Sequence, residues 1–216
     1  MWMARLRTMR HSSAVAWLVA AVWVSVLVPT AHASTLLVVG DSLSAEYGLK
    51  RNSGWVALMT ERLKTSHPAI TVVNASISGD TSSGGRARLP NLLRRHKPQW
   101  VMLELGANDA LRGLPLAAMR DNLSAMIKAS QAQGARVLVV GIQVPPNYGP
   151  RYTRELSQSF VDVAKQNQAA LVPFLLSGVA DSPNAAELFQ ADHIHPNESA
   201  QAQLVDNVWP HLEKLL

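Results

Sequence analysis

Thr35–Val39 reads Thr-Leu-Leu-Val-Val, and the nine residues from Val39 continue as Val-Gly-Asp-Ser-Leu-Ser-Ala-Glu-Tyr to Tyr47. The first stretch is short and almost wholly apolar, as a parallel strand covered on both faces should be. Gly40 and Asp41 end the run and leave Ser42 just beyond the strand's carboxyl end. Open α/β sheets hold ligands and reacting groups in that place. Taken alone, Ser42 has two readings. It is a helix-capping or turn serine, or it is a nucleophile, which needs a base and an oxyanion site converging on it.

Similar apolar runs recur at Ile70–Ala75, Trp100–Leu105, Arg136–Ile142 and Ala170–Leu175. Between them lie Trp55–Lys64, Gly85–His96, Leu116–Gln133 and Tyr152–Gln168, each with helical spacing of its apolar residues. Met119, Leu123, Met126 and Ile127 illustrate it. Glu198–Leu215 reads as a closing helix, with Pro210 a point where it bends or divides. Five such βα units predict an α/β fold: a three-layer α/β/α sandwich on a five-stranded parallel sheet, flavodoxin-like in its winding.

In that fold the loops after the strands share one edge of the sheet. They are Gly40-Asp41-Ser42, Ser76-Ile77-Ser78-Gly79-Asp80, Gly106-Ala107-Asn108-Asp109 and, before the last helix, Ala191-Asp192-His193-Ile194-His195-Pro196-Asn197. Polar groups far apart in the chain are thereby expected at one mouth.

Residues 1–33 stand apart. Arg5, Arg7 and Arg10 give a basic start, Ala14–Val28 carries no charge, and Ala31-His32-Ala33 is a small-x-small site before Ser34. This is the pattern of a secretory signal peptide cleaved near Ala33/Ser34, with an uncleaved N-terminal anchor as the alternative. The apolar run falls short of the ~20 residues of a membrane span. The leader holds three of the 20 basic residues and none of the 15 acidic ones, so residues 34–216 carry a formal charge of +2. That balance gives no reason to expect a nucleic-acid partner. There is no cysteine, so neither a lipid anchor on cysteine nor a disulfide framework is expected. The reading is an exported, periplasmic or secreted, single-domain monomer.

Acyl transfer needs a group that takes the serine proton and later returns it to the leaving group. His195 suits both tasks, since an unperturbed imidazole titrates at about pH 6.5. Asp192, three residues upstream, can orient it and leave the other ring nitrogen to face Ser42. Three donors can hold the developing oxyanion: the Ser42 N–H, the Gly79 N–H and the Asn108 side-chain amide. Plainer readings exist for each residue. Asn108-Asp109 is compatible with a turn, Gly79 with a positive φ alone, and Asp192-His193-Ile194-His195 with a metal-ligand set.

Together the four loops resemble the four blocks of the SGNH branch of the GDSL hydrolases. Gly40-Asp41-Ser42-Leu43-Ser44 matches block one, Gly79 block two, Asn108 block three and Asp192-x-x-His195 block four. Val73–Ser82, Leu111-Arg112-Gly113 and Pro146-Asn147-Tyr148-Gly149 are similar to loops of its small periplasmic members with acyl-CoA thioesterase, lysophospholipase and arylesterase activity. The resemblance implies Ser42 as nucleophile, His195 as base, Asp192 as its orienter, and Ser42, Gly79 and Asn108 as the oxyanion hole. It implies no metal or organic cofactor. Ala107 stands where a glycine is more usual before the block-three Asn, and His193 where a small residue follows the block-four Asp.

The expected substrates are small-molecule esters, thioesters or lysophospholipids. Leu111, Leu114, Val144 and Tyr148 are expected to wall a groove for the acyl chain, or, for the leucines, to pack on the core. A closed groove would instead leave a short-chain arylesterase or carbohydrate deacetylase. The reading from another class is a non-catalytic ligand-binding protein on the same scaffold.

Overall fold

The computed structural model describes residues 34–216; the leader and its cleavage site lie outside them. Five parallel strands form one sheet: β1 (Ser34–Gly40), β2 (Ile70–Asn74), β3 (Trp100–Glu104), β4 (Arg136–Val140) and β5 (Ala170–Val172). Their order is β2-β1-β3-β4-β5. The chain moves outward from β1 to β2 and then back past β1 to β3. The carboxyl ends of β1 and β3 therefore flank the point where the winding reverses, the place where such sheets bind ligands. Val39 pairs in register with Leu103 and Gly40 with Glu104. That register puts the Ser42 turn beside the turn that carries Asn108.

Helix α1 (Trp55–Ser66) packs against α7 (Gln201–Glu213), while α2 (Ser82–His96), α4 (Leu116–Gln131) and α5 (Pro150–Gln166) pack in series. The two layers cover both faces of the sheet, and Leu36, Leu37, Val38 and Val39 have no exposed surface. The continuous apolar spelling of β1 follows from this, because neither face meets water.

Several boundaries differ from the sequence reading for local reasons. Helix α2 starts at Ser82 because the Thr81 hydroxyl caps it, accepting from Gly84 N–H. Its basic end, Arg94-Arg95-His96, occupies the last turn, where cations suit the helix dipole. Strand β5 stops at Val172 because Pro173 has no N–H to give a ladder. Helix α7 is undivided at Pro210, and the expected closing helix is split earlier, into a 3₁₀ turn at Glu198–Ala200 and α7. Two short helices, α3 (Ala107–Leu111) and α6 (Ala185–Leu188), went unforeseen because so few turns carry no readable period. No helix among the described residues is long and apolar enough to cross a membrane.

Candidate active site

The chain leaves β1 in a tight turn. The Asp41 carbonyl accepts from the Ser44 and Ala45 N–H groups, and the Asp41 side chain accepts from Leu43 N–H at 3.0 Å. The fully buried Trp55 donates its indole N–H to the Leu43 carbonyl at 3.0 Å. Ser42 is thus held at the surface by a turn whose neighbours are anchored in the core.

The loop after β2 is drawn to the same edge. Ile77 N–H donates to the Gly40 carbonyl at 3.0 Å, continuing the β1–β2 pairing past the strands. Arg88 on α2 pairs with Asp80 at 2.8 Å and donates to the Ala75 and Gly40 carbonyls. Gly79 adopts φ +80°, a conformation that disfavours any side chain. Arg112 donates to the Gly79 carbonyl at 2.8 Å.

Asn108 lies in α3, at the start of which Gly106 turns the chain away from β3. Its side-chain nitrogen donates to Asp41 Oδ2 at 3.1 Å. The next residue, Asp109, is buried and accepts from both the N–H and the hydroxyl of Ser82, so α3 is fastened to the start of α2.

His195 closes the arrangement. Its Nδ1 lies 2.6 Å from Asp192 Oδ2 and its Nε2 lies 2.8 Å from Ser42 Oγ. A carboxylate accepts only, so the ring proton sits on Nδ1 and the Nε2 lone pair faces the serine hydroxyl. The other Asp192 oxygen accepts from Ile194 N–H at 2.9 Å and His195 N–H at 3.0 Å. Burial pushes the Asp192 carboxyl up, but these donated hydrogens and the ring outweigh it and bring the group down to about 2. The Tyr47 ring packs against the imidazole with centroids 4.5 Å apart.

Beneath the serine lie two carboxyl groups with no exposed surface, Asp41 and Glu104. Glu104 Oε2 accepts from Ser44 Oγ at 2.7 Å, and Asp41 N–H points to it at 3.3 Å. Burial and the neighbouring Asp41 push the Glu104 carboxyl well above its ordinary value. Burial also raises Asp41, to about 6, against the opposing donors Leu43 and Asn108. Glu104 was missed as a site residue. The signal available was one acid in the otherwise apolar run Trp100–Leu105.

Ser42, Gly79, Asn108 and His195 all line one groove of about 1180 Å³, more apolar than polar in its walls. Leu111 and Val144 line it as expected, with Ile142, Phe174, Leu176 and Phe189. Leu114 and Tyr148 do not. Leu114 faces a separate shallow depression beside Arg120 and Tyr152. Tyr148 turns its hydroxyl to the Leu111 carbonyl, 3.2 Å away, and its ring stacks beside Tyr152. Of the three groups of the metal alternative, Asp192, His193 and His195, the first and last are engaged with each other, and His195 also with Ser42. Among the described residues no three His, Cys, Asp or Glu side chains converge as a ligand set.

The arrangement can take a proton from Ser42, keep the imidazolium oriented and offer donors to an oxyanion. The model of the GDSL-like Lipase/Acylhydrolase family matches residues 38–203. The chain is 53% identical over 190 residues to "Esterase TesA" of Pseudomonas aeruginosa, covering 88% of this chain and 93% of that one. It is 40% identical over 186 residues to "Thioesterase 1/protease 1/lysophospholipase L1" of Escherichia coli K12, covering 86% of each. The solved structure of a psychrotrophic esterase, EstA, from Pseudoalteromonas sp., inhibited by monoethylphosphonate, superposes with a TM-score of 0.78. It is 41% identical, covering 84% of this chain and 97% of that one.

Proposed function

The chain belongs to the GDSL-like lipase/acylhydrolase family, and from that premise we propose that it hydrolyses esters and thioesters through an acyl-enzyme on Ser42. That it is a carboxylic ester hydrolase follows from the family. The residue roles rest on one observation: the continuous chain from Asp192 through His195 to Ser42, with links of 2.6 and 2.8 Å.

In this mechanism Ser42 Oγ attacks the acyl carbon while His195 Nε2 takes the hydroxyl proton. The carbonyl oxygen becomes an oxyanion held by the Ser42 and Gly79 N–H groups and the Asn108 amide. The C–O or C–S bond then breaks, and His195 returns the proton to the departing alcohol or thiol. Water attacks the acyl-serine with His195 again as base, releasing the acid and restoring the serine.

The size and apolar walls of the groove support medium-to-long acyl chains over the acetyl group of a carbohydrate deacetylase. Esters, acyl-CoA and lysophospholipids are all within this reading. Every reacting group comes from one chain, so a monomer suffices. The basic, apolar and small-residue sequence of positions 1–33 supports export to the periplasm, with cleavage near Ala33/Ser34. N-terminal sequencing of the exported protein tests the cleavage site.

The test of the chemistry is Ser42→Ala with a chain-length series of p-nitrophenyl esters, an acyl-CoA and a lysophospholipid. Turnover should vanish with the fold intact, and an organophosphonate should label the wild-type protein at Ser42. A Ser42→Ala protein that still turns over, or a wild type that resists labelling, overturns the proposal and favours a non-catalytic binding protein.

A further inference from the structure

Gln190 lies two residues before Asp192, and no step above uses it. Its side-chain nitrogen donates to the Tyr47 carbonyl at 2.8 Å and to the Pro196 carbonyl at 3.2 Å. Two carbonyl acceptors settle which end of the amide is the nitrogen. Its backbone N–H donates to the His195 carbonyl at 2.8 Å, and its own carbonyl accepts from His193 N–H at 2.9 Å. One residue therefore bonds to three positions of the loop that carries the imidazole and reaches the loop that carries the nucleophile.

We propose that Gln190 is a positioning residue for the hydrolysis, tying the His195 loop to the Ser42 loop so that imidazole and hydroxyl meet. The proposal rests on the reading of Ser42 and His195 as nucleophile and base. A closed circuit carries it. Tyr47 N–H donates to the Ser42 carbonyl at 3.4 Å, the Tyr47 carbonyl accepts from Gln190, and the Gln190 N–H donates to the His195 carbonyl. The 2.8 Å contact between His195 Nε2 and Ser42 Oγ completes it. The same circuit sets the Tyr47 ring against the imidazole. Asp192 does not share this dependence, because it holds His195 from within the same loop. Buried Gln201 makes a related tie one turn on, from the Pro196 and Asn197 carbonyls to Trp55 N–H, and it reaches the Ser42 turn only at one remove, through the Trp55 indole on the Leu43 carbonyl.

Gln190→Met keeps the side-chain length and removes both donors; Gln190→Glu keeps the shape and sets a carboxylate against two carbonyls. With p-nitrophenyl butyrate, kcat should fall roughly ten- to a hundred-fold, as expected for a displaced catalytic pair, with KM within about two-fold. Labelling of Ser42 by an organophosphonate should slow in parallel. The downfield proton resonance of His195 Nδ1–H should persist, since its bond to Asp192 is internal to the loop. A kcat within about two-fold of wild type in either folded variant overturns the tie. So does a fall in kcat accompanied by loss of that resonance, or failure of both variants to fold, since either outcome makes Gln190 a structural residue. Ser42→Ala run alongside separates the two readings. If it is active, the catalytic assignment falls and this proposal with it; if it is inactive beside a fully active Gln190→Met, the tie alone falls.

Discussion

The side-chain amide of Asn108 donates to Asp41 Oδ2 at 3.1 Å. The carboxylate can only accept, so it fixes the amide with its nitrogen inward and leaves the second N–H hydrogen for the groove. Asp41 is itself held by Leu43 N–H on its other oxygen. The aspartate of the Ser42 turn thus orients a donor of the proposed oxyanion hole.

Asp41→Asn should remove that constraint, because its amide nitrogen would face the nitrogen of Asn108 and drive it to flip. The hole would lose a donor, and kcat should fall by a factor on the order of 100 with little change in KM. Stability should move the other way. Burial raises the Asp41 carboxyl from 3.8 to about 6, so between those values the folded state binds the extra proton. Wild-type stability therefore declines as pH rises through that window, by on the order of 3 kcal/mol, and Asp41→Asn escapes the decline. Urea melts of both proteins at pH 4 and pH 7.5 measure the difference; parallel stabilities would refute the assignment.

Asp192 behaves in the opposite sense. Its carboxyl is lowered to about 2, so its contribution to stability is complete above its ordinary value near 3.8 and is lost only as pH falls toward 2. It remains an anion across the working range and does not create the acid limb of the rate profile. Asp192→Asn should lower kcat by on the order of 10³–10⁴ by releasing the ring tautomer. The deficit should be similar at pH 6 and pH 8. Recovery at either pH would place the orienting role elsewhere.

Gly40→Ala probes the floor of the site. An added Cβ would lie 2.8 Å from Glu104 Oε2 and 2.8 Å from the Ser44 side chain. Neither neighbour has room to retreat, since both are buried. The variant should lose about 1–3 kcal/mol of stability and most of its esterase activity. A denaturation midpoint equal to wild type would show that the floor is softer than the packing indicates.

Ala180→Phe tests the acyl groove, whose wall includes Ala180. Narrowing it should lower kcat/KM for a decanoyl ester about tenfold relative to a butanoyl ester, a difference of a few displaced methylenes. Equal losses for both chain lengths would indicate that the acyl chain lies elsewhere.

Much of this site is legible in the sequence, and the reasons are local. Asp192 and His195 are three residues apart, so their pairing needs only one short loop. Ser42 follows a strand whose burial on both faces is spelled in its residues. Glu104 was not legible as a partner of Asp41, because an acid in an apolar strand becomes a site residue only when the register pairs it with Gly40. Leu114 and Tyr148 were misplaced in the groove because a loop's composition does not say which way its side chains turn. Gln190 was invisible for the same reason: its amide bonds to a carbonyl 143 residues away.

The sequence by itself determined the five-strand α/β pattern, the leader-like start and the candidates for the reacting groups, since periodicity and short-range spacing act between neighbours in the chain. Only the tertiary structure decided that His195 meets Ser42 across 153 residues, that Asp41 turns the Asn108 amide, and that a buried Glu104 lies beneath them. Those relations depend on the strand order β2-β1-β3-β4-β5 and on burial, both of which are set by packing distant segments against one another.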